Sequence, residues 1–404
     1  MSGGVDSSVA AALLREHGHE VVGCFMRLGS ADEAEGLAAG GDASSCQQED
    51  AALESGATLA RTPRKQGCCS VNDAADAQLV AAQLGIPLYI CNFKKDFGRV
   101  TAYFAAEYAA GRTPNPCVRC NDWLKFGKLF DYADQLGCDY VASGHYARVE
   151  QVSGGEANGA SAAPVHTLLR GLDEDKDQSY VLFGVPRGRL ARMMLPIGGL
   201  RKTRVRELAR EFNLPVSDKP DSQEICFVPD NDYAAFLERA DPGLRRSGTF
   251  VDQSGATIGA HSGHHQFTIG QRRRLGVASS VPLYVLKKDP GANTITLGPK
   301  DGLMAAGCRV GEANWLIEGA PEILREWTPL WVQHRSSAAP VAAEVRVIGE
   351  AAAREFEVRF DAPEISVTPG QALVVYSGRI SGPPSRGNRA QRVVGGGWIA
   401  EAKE

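Results

Sequence analysis

The sequence predicts an α/β protein: a parallel sheet covered on both faces by helices, then a small central domain, then a β-barrel. Three observations carry this. A glycine-rich turn opens a helix at the amino terminus, in Ser2-Gly3-Gly4-Val5-Asp6-Ser7-Ser8. A helix–glycine–strand unit then recurs three times. After about residue 294 the apolar residues alternate with period two, as in Ala343-Glu344-Val345-Arg346-Val347, Glu355-Phe356-Glu357-Val358-Arg359-Phe360 and Ala372-Leu373-Val374-Val375-Tyr376. Period-two segments between Gly and Pro turns read as antiparallel strands closing a small barrel.

In the opening run, the paired glycines reach backbone angles closed to other residues. The following Val9-Ala10-Ala11-Ala12-Leu13-Leu14 reads as a helix whose first turn carries Asp6, Ser7 and Ser8. Unpaired N–H groups at such a helix start converge on one point, where an oxyanion can sit. No Gly-Lys-Ser/Thr follows, so this is not the familiar nucleotide loop. A serine-rich cap behind a flexible turn would account for Gly-Gly or Ser-Ser alone, but not for the whole run. The run resembles the S-G-G-x-D-S loop of enzymes that split ATP into AMP and pyrophosphate.

The first unit is helix 7–17, Gly18 and strand 21–26; the second is helix 73–84, Gly85 and strand 86–90. The third is helix 122–136, Gly137 and Tyr140-Val141-Ala142. Glycine just past the last helical turn is the usual C′ residue, and this alternation implies parallel strands. Ligands of such sheets sit beyond the strand carboxyl ends, so Met26, Asn92 and Ser143-Gly144-His145 are expected around the loop. A loop of this kind also needs a buried strand before it, and only Met1 precedes it here. The expectation is a strand encoded upstream of Met1, because a sheet without a central strand exposes two unpaired edges.

The 404 residues suggest two or three domains, with expected bounds 1–234 for the nucleotide domain, 235–293 for the central domain and 294–404 for the barrel. Segments 152–164 and 381–392, rich in Gly, Ser, Pro, Ala and Asn, read as disordered inserts. With 43% hydrophobic and 23% charged residues, no membrane-length apolar run and no signal peptide, the expected location is cytoplasmic. The net charge of −4 leaves any nucleic-acid steering to local clusters: Arg201-Lys202-Thr203-Arg204-Val205-Arg206, Arg272-Arg273-Arg274 and Lys287-Lys288.

Ten cysteines without a secretory signal point to thiols used for chemistry or metal. Thr113-Pro114-Asn115-Pro116-Cys117-Val118-Arg119-Cys120 sits just before a helix, so a Cys-x-x-Cys there brings both sulfurs to one helix end, where the dipole favours thiolate. A zinc half-site and an incidental pair are the alternatives, and Cys68-Cys69 is spaced wrongly to complete a zinc site. Cys226, in Asp221-Ser222-Gln223-Glu224-Ile225-Cys226-Phe227, stands alone and would by itself read as a buried apolar thiol.

Together these stretches resemble the tRNA-specific 2-thiouridylases, which replace O2 of the wobble uridine with sulfur, from Ser2 to about Glu401. Further matching blocks are Gly67-Cys68-Cys69-Ser70, Gly144-His145-Tyr146, Lys176-Asp177-Gln178-Ser179-Tyr180, Gly270-Gln271-Arg272, Thr368-Pro369-Gly370-Gln371 and Gly395-Gly396-Gly397-Trp398. The resemblance implies that Ser2, Gly3, Gly4, Val5, Asp6 and Ser7 hold ATP phosphates, with Met26 and Gly144 against the adenosine. It implies Asn115, Pro116 and Cys117 at the target base, Cys120 as nucleophile and Cys226 as persulfide carrier. It implies His145, Lys176, Asp177, Gln178, Arg335 and Gln371 as tRNA contacts, with the neighbouring Ser336 standing where some members have an aromatic residue.

The implied cofactors are ATP and Mg²⁺, the implied partners tRNA and a sulfur donor. Adenylation makes the uridine oxygen a leaving group, a persulfide brings nucleophilic sulfur, and a Cys120–Cys226 disulfide completes the transfer. Many relatives carry Asp at the position of Cys117. A third thiolate there opens a second route, in which Cys117, Cys120 and Cys226 hold a [4Fe-4S] cluster with one open iron; ligand count leaves the two routes even. Rival readings are an amidating synthetase with the same ATP loop and a non-catalytic RNA-binding or iron–sulfur protein.

Overall fold

The computed structural model describes residues 1–29, 71–152, 165–221, 225–228, 232–349, 354–378 and 391–403. Cys46, Cys68, Cys69, residues 222–224 and nearly all of the two expected inserts lie outside them.

Helix α1 (Val5–Glu16) follows the glycine turn directly, and Val5 and Ser8 through Leu14 are buried. The alanines at 10–12 let it approach closely: its apolar residues pack with Val80 and Leu84 of α2 (Val71–Leu84) and with Val205, Leu208 and Ala209 of α6 (Lys202–Glu211). The first two expected units appear as α1 with β1 (Gly23–Arg27) and α2 with β2 (Leu88–Asn92). Gly18, Gly85 and Gly137 all have positive φ after their helices. The two strands pair in parallel, from Gly23 opposite Leu88 to Arg27 opposite Asn92.

Helix α3 (Lys94–Ala109) then leads to the third unit, which differs from expectation. The helix starts six residues early, at Pro116: α4 (Pro116–Cys120) runs into a π-helical stretch (Asn121–Lys128) and then α5 (Leu129–Gln135). The Asn115 side chain, which accepts from Val118 N, and proline at the first helical position move the start forward. Strand β3 (Val141–Ala142) follows and pairs in parallel with β6 (Met193–Met194).

A single continuous parallel sheet is not formed among the described residues; β1–β2 and β3–β6 are separate pairs. Between them lies a cavity of about 440 Å³, bounded by Gly23 and Cys24 on one side and by Val141 through Gly144 on the other.

The hairpin β4 (Ala147–Val152) and β5 (Val165–Arg170) joins the barrel, Leu169 pairing with Arg392. Val152 and Arg392, expected in disordered inserts, are strand ends. Past α7 (Tyr233–Ala240), the middle domain is a four-stranded sheet in the order β8 (Thr257–His261), β7 (Gly248–Val251), β10 (Thr294–Gly298), β9 (Tyr284–Asp289). Its core is Phe250, Phe267, Leu275, Val285, Ile295 and Leu297. Strand 294–298 thus belongs to this sheet, and the barrel begins at Met304, ten residues beyond the expected 294, because Ile295 and Leu297 bury against the middle core.

Six strands make the barrel, in the order β11 (Met304–Trp315), β14 (Glu355–Ile365), β13 (Val341–Ile348), β12 (Thr328–Gln333), β15 (Ala372–Ser377) and β16 (Arg392–Lys403), with the short α8 (Ala320–Ile323) between β11 and β12. Pairing of β11 with β16 closes the ring of six strands, so none of the six is left as an unpaired edge.

Candidate active site

The glycine turn is held from three sides. Gly3 has φ of +69°, and a Cβ there would lie 2.2 Å from the Asp73 carbonyl oxygen, so only glycine fits. Lys219 Nζ donates to the Gly3 carbonyl (2.8 Å) and to the carboxylates of Asp73 and Asp76 (both 2.6 Å). Gly144 presses on the loop from the end of β3; a Cβ would lie 2.6 Å from the Asp6 carbonyl carbon and 2.7 Å from Ser7 N. Within the loop, Ser2 Oγ and Ser7 Oγ are 3.1 Å apart, and Ser8 Oγ donates to the Gly4 carbonyl at 2.8 Å.

Asp6 sits in a charged network. Its carboxylate accepts from Tyr146 Oη (2.8 Å) and from Lys202 Nζ (2.7 and 2.9 Å). Lys202 also pairs with Asp221 (2.9 Å), which accepts from Lys176 and Arg206 as well, each at 2.9 Å. Burial alone would raise the Asp221 carboxyl, but the hydrogen bonds and charges of Lys202 and Lys176 outweigh it and hold the group at about 2. The burial of Tyr146, with Asp6 beside it, pushes its hydroxyl well above the ordinary phenol range. Lys202, Lys219, Tyr146 and Asp221 carry no local sequence signal for this role, since their partners are distant in the chain.

The second half of the site is the Cys-x-x-Cys helix. Cys117 is exposed; Cys120 and Cys226 are half-buried. Cys120 packs against the cluster of Leu28, Phe93, Phe97, Val100 and Leu124, which Met26, Cys24 and Phe227 also join. Phe227 in turn meets Phe97 and Phe104 of α3 edge-on at 5.3 Å. The fold therefore brings Cys120 and the segment of Cys226 to one apolar cluster on α3, from more than one hundred residues apart. Strand β1 connects the two halves: Cys24 lines the cavity with Ser7 and Gly144, while Met26 packs on the same apolar cluster as Cys120. Thr113 Oγ1, Arg119 Nε and Asn121 Oδ1, all around α4, are buried without a hydrogen-bond partner among the described residues. The π-helical stretch beginning at Asn121 is the irregularity that recurs at functional sites. Within it, burial pushes the Asp122 carboxyl up to about 6, despite Arg119, Arg99 and Arg189 nearby.

Several expected tRNA contacts have other occupations. His145 is enclosed, with Nδ1 2.6 Å from Ser143 Oγ and its ring on Phe126, and burial holds its pKa well below normal. Asp177 accepts from Gly171 N, Ser179 N and Arg170, and Gln178 accepts from Tyr146 N. Arg335 donates to the Ser366 carbonyl, Gln371 donates to the Thr113 carbonyl, and Ser336 is exposed. Asn92 accepts from Lys94 N at the start of α3. Of the basic clusters, Lys202 is spent on Asp6 and Asp221, whereas Arg272, Arg273 and Arg274 are exposed. Lys288 is buried on the Phe267 carbonyl, and burial lowers it to about 8.

No three His, Cys, Asp or Glu side chains among the described residues gather as a group able to hold a metal. Cys117, Cys120 and Cys226 are not gathered as such a group here. Mg²⁺ asks less, since it binds through one or two carboxylates plus phosphate oxygens, and Asp6 at the loop suits that. No described helix is long and apolar enough to cross a membrane.

Three family models cover nearly the whole chain: a tRNA methyl transferase HUP domain over 1–58 and 53–230, a tRNA methyl transferase PRC-barrel domain over 235–299, and an aminomethyltransferase beta-barrel domain over 305–399. The tRNA-specific 2-thiouridylase MnmA of Rhodopirellula baltica is 43% identical over all of this chain and 95% of its own length. The protein of the same name from Geobacter metallireducens is 43% identical over 100% of the chain and 96% of its own. That of Carboxydothermus hydrogenoformans is 41% identical over 94% and 93%.

Proposed function

Since this chain belongs to the family of tRNA-specific 2-thiouridylases, we propose that it is an ATP-dependent sulfurtransferase acting on C2 of the wobble uridine of tRNA. One observation carries the reading: β1 joins a phosphate-directed loop to a cluster that holds both Cys120 and the Cys226 segment. Methyl transfer, named in two of the family descriptions, has no use for either part. Membership sets aside the amidating and non-catalytic readings.

The N–H groups of the first turn of α1 and the hydroxyls of Ser2 and Ser7 receive the phosphates of ATP. Asp6 would hold Mg²⁺, which neutralises charge developing on the phosphates. Uridine O2 attacks the α-phosphorus and pyrophosphate departs. The terminal sulfur of a Cys226 persulfide then attacks C2 and AMP leaves. Cys120 thiolate attacks the Cys226 sulfur and breaks the S–S bond, so that the transferred sulfur stays on the base as the two cysteines are oxidised to a disulfide. An external thiol reduces that disulfide for the next turnover. Cys117, with Asn115 and Pro116, lines the approach of a base that has left its stack.

The test is to incubate the chain with a transcribed tRNA bearing a wobble uridine, ATP, Mg²⁺ and a persulfide donor, and to follow AMP and 2-thiouridine. Stoichiometric AMP and thionucleoside are expected, and Cys226→Ser should give AMP without thionucleoside. Thionucleoside at the normal rate from Cys226→Ser would overturn the reading.

A further inference from the structure

The Cys-x-x-Cys helix does not stand on its own domain alone; the C-terminal barrel holds it at two points. Before the helix, Thr113 N donates to the Pro369 carbonyl (2.9 Å) and the Thr113 carbonyl accepts from Gln371 Nε2 (3.0 Å). Within it, Arg119 lies between the two cysteines and is only 9% exposed. Its guanidinium stands 4.1 Å from the ring centre of Trp398 in β16, 5.0 Å from Tyr103 in α3 and 5.1 Å from Trp123. Arg119 Nη2 also donates to Glu312 Oε2 at 2.7 Å. Glu312 projects from β11 at a backbone φ of +49°, next to an irregularity in its pairing with β16.

The barrel is shaped for this contact. A Cβ on Gly395 would lie 2.5 Å from the Asn314 carbonyl oxygen, on Gly396 2.7 Å from that of Leu373, and on Gly397 2.5 Å from that of Gly311. Three glycines thus let β16 settle deep between its neighbours and deliver Trp398, 8% exposed, onto Arg119. The Gly395-Gly396-Gly397-Trp398 block has no other partner in the proposed chemistry.

We propose that Arg119 is a positioning residue, through which Trp398 and Glu312 of the barrel set the placement of Cys120. A cation enclosed by three aromatic faces resists rotation, and Cys120 is the next residue along the same turn. The geometry needs both a planar cation and an aromatic face. This rests on the reading of Cys120 as the nucleophile, and the experiment separates the two.

The variants are Arg119→Met, Arg119→Lys, Trp398→Leu, Trp398→Phe and Glu312→Gln, the last chosen because the Glu312 side chain is 65% exposed and its loss leaves the fold intact. Arg119→Met and Trp398→Leu should each lower kcat for thiolation about tenfold or more, the scale of a desolvated cation–π contact, with KM for ATP unchanged. Arg119→Lys should fail to rescue fully, Trp398→Phe should rescue, and Glu312→Gln should lose two- to fivefold. Independently of activity, amide exchange across 113–128 should quicken in Arg119→Met and Trp398→Leu. Unchanged exchange with kcat within twofold of wild type in Glu312→Gln and Trp398→Leu would overturn the proposal. If exchange quickens while wild type itself makes no thionucleoside, the reading of Cys120 fails and the clamp stands.

Discussion

Tyr146 and Lys202 hold the Asp6 carboxylate at the loop, and the proposed function gives that carboxylate to Mg²⁺. Asp6→Asn should keep the fold and lower AMP formation by roughly 100-fold, the scale of losing an electrostatic contact to a reacting group; unchanged AMP release would rule out the assignment. Asp122 offers a test of stability. Its carboxyl titrates at about 6 against 3.8 for the ordinary group, so the folded chain binds this proton more tightly than the unfolded one. That contribution favours the fold at acid pH and is lost as pH rises from about 4 to 6. Asp122→Asn should therefore melt higher than wild type at pH 8 and equal to it at pH 4, and melting curves that coincide at both would refute this. Cys117 bears on the route of sulfur. In the persulfide route Cys117 has only a supporting position, so Cys117→Asp should retain thiolation, and both proteins should be active without iron after anaerobic purification. Activity that tracks bound iron would favour the cluster route instead.

The strands and helices act here through close approaches rather than through their own propensities. Gly144, at the end of β3, meets the first turn of α1 backbone to backbone. Gly144→Ala must push the two apart, so a loss of about 1–3 kcal/mol is expected, together with a higher KM for ATP; a variant with wild-type melting temperature and KM would show that the contact yields freely. The π-helical stretch is the other such feature. It follows Cys120 directly and turns Asp122 and Trp123 toward Arg119 and Arg99, with Arg99 3.8 Å from the Trp123 ring.

The nucleotide domain is held by both other domains at α3 and α4. The middle domain reaches α3 through Lys288, 5.6 Å from the Tyr108 ring, and the barrel reaches α4 through Trp398 and Gln371. With a net charge of −4, attraction to an RNA backbone has to be local, and Arg272, Arg273 and Arg274 form one exposed basic run among the described residues. Binding of tRNA should weaken steeply as salt rises, through counterion release, and replacing the three arginines with serine should reduce that slope. Filter binding across a salt series measures both, and a slope unaltered by the triple substitution would move the contact elsewhere.

Local sequence was enough to place the loop, the first two helix–glycine–strand units and the alternating barrel strands, and it put the Cys-x-x-Cys beside a helix that starts six residues earlier than expected. Each of these depends on neighbours a few residues away: glycine angles, caps, and periods of 3.6 or 2. Tertiary structure alone decided the rest. Ser2 to Ser8 reads as an oxyanion site, but does not tell that Lys202 and Lys219 hold it; Cys226 reads as an inert thiol until its neighbour Phe227 is seen on the same apolar cluster as Cys120. Lys287-Lys288 reads as a surface patch until Lys288 is found buried, and residues 294–298 read as barrel until Ile295 and Leu297 enter the middle core. The reason is common to all four: burial and ion pairing are set by residues far apart in the chain, and a periodic pattern records which face is apolar without recording what will cover it.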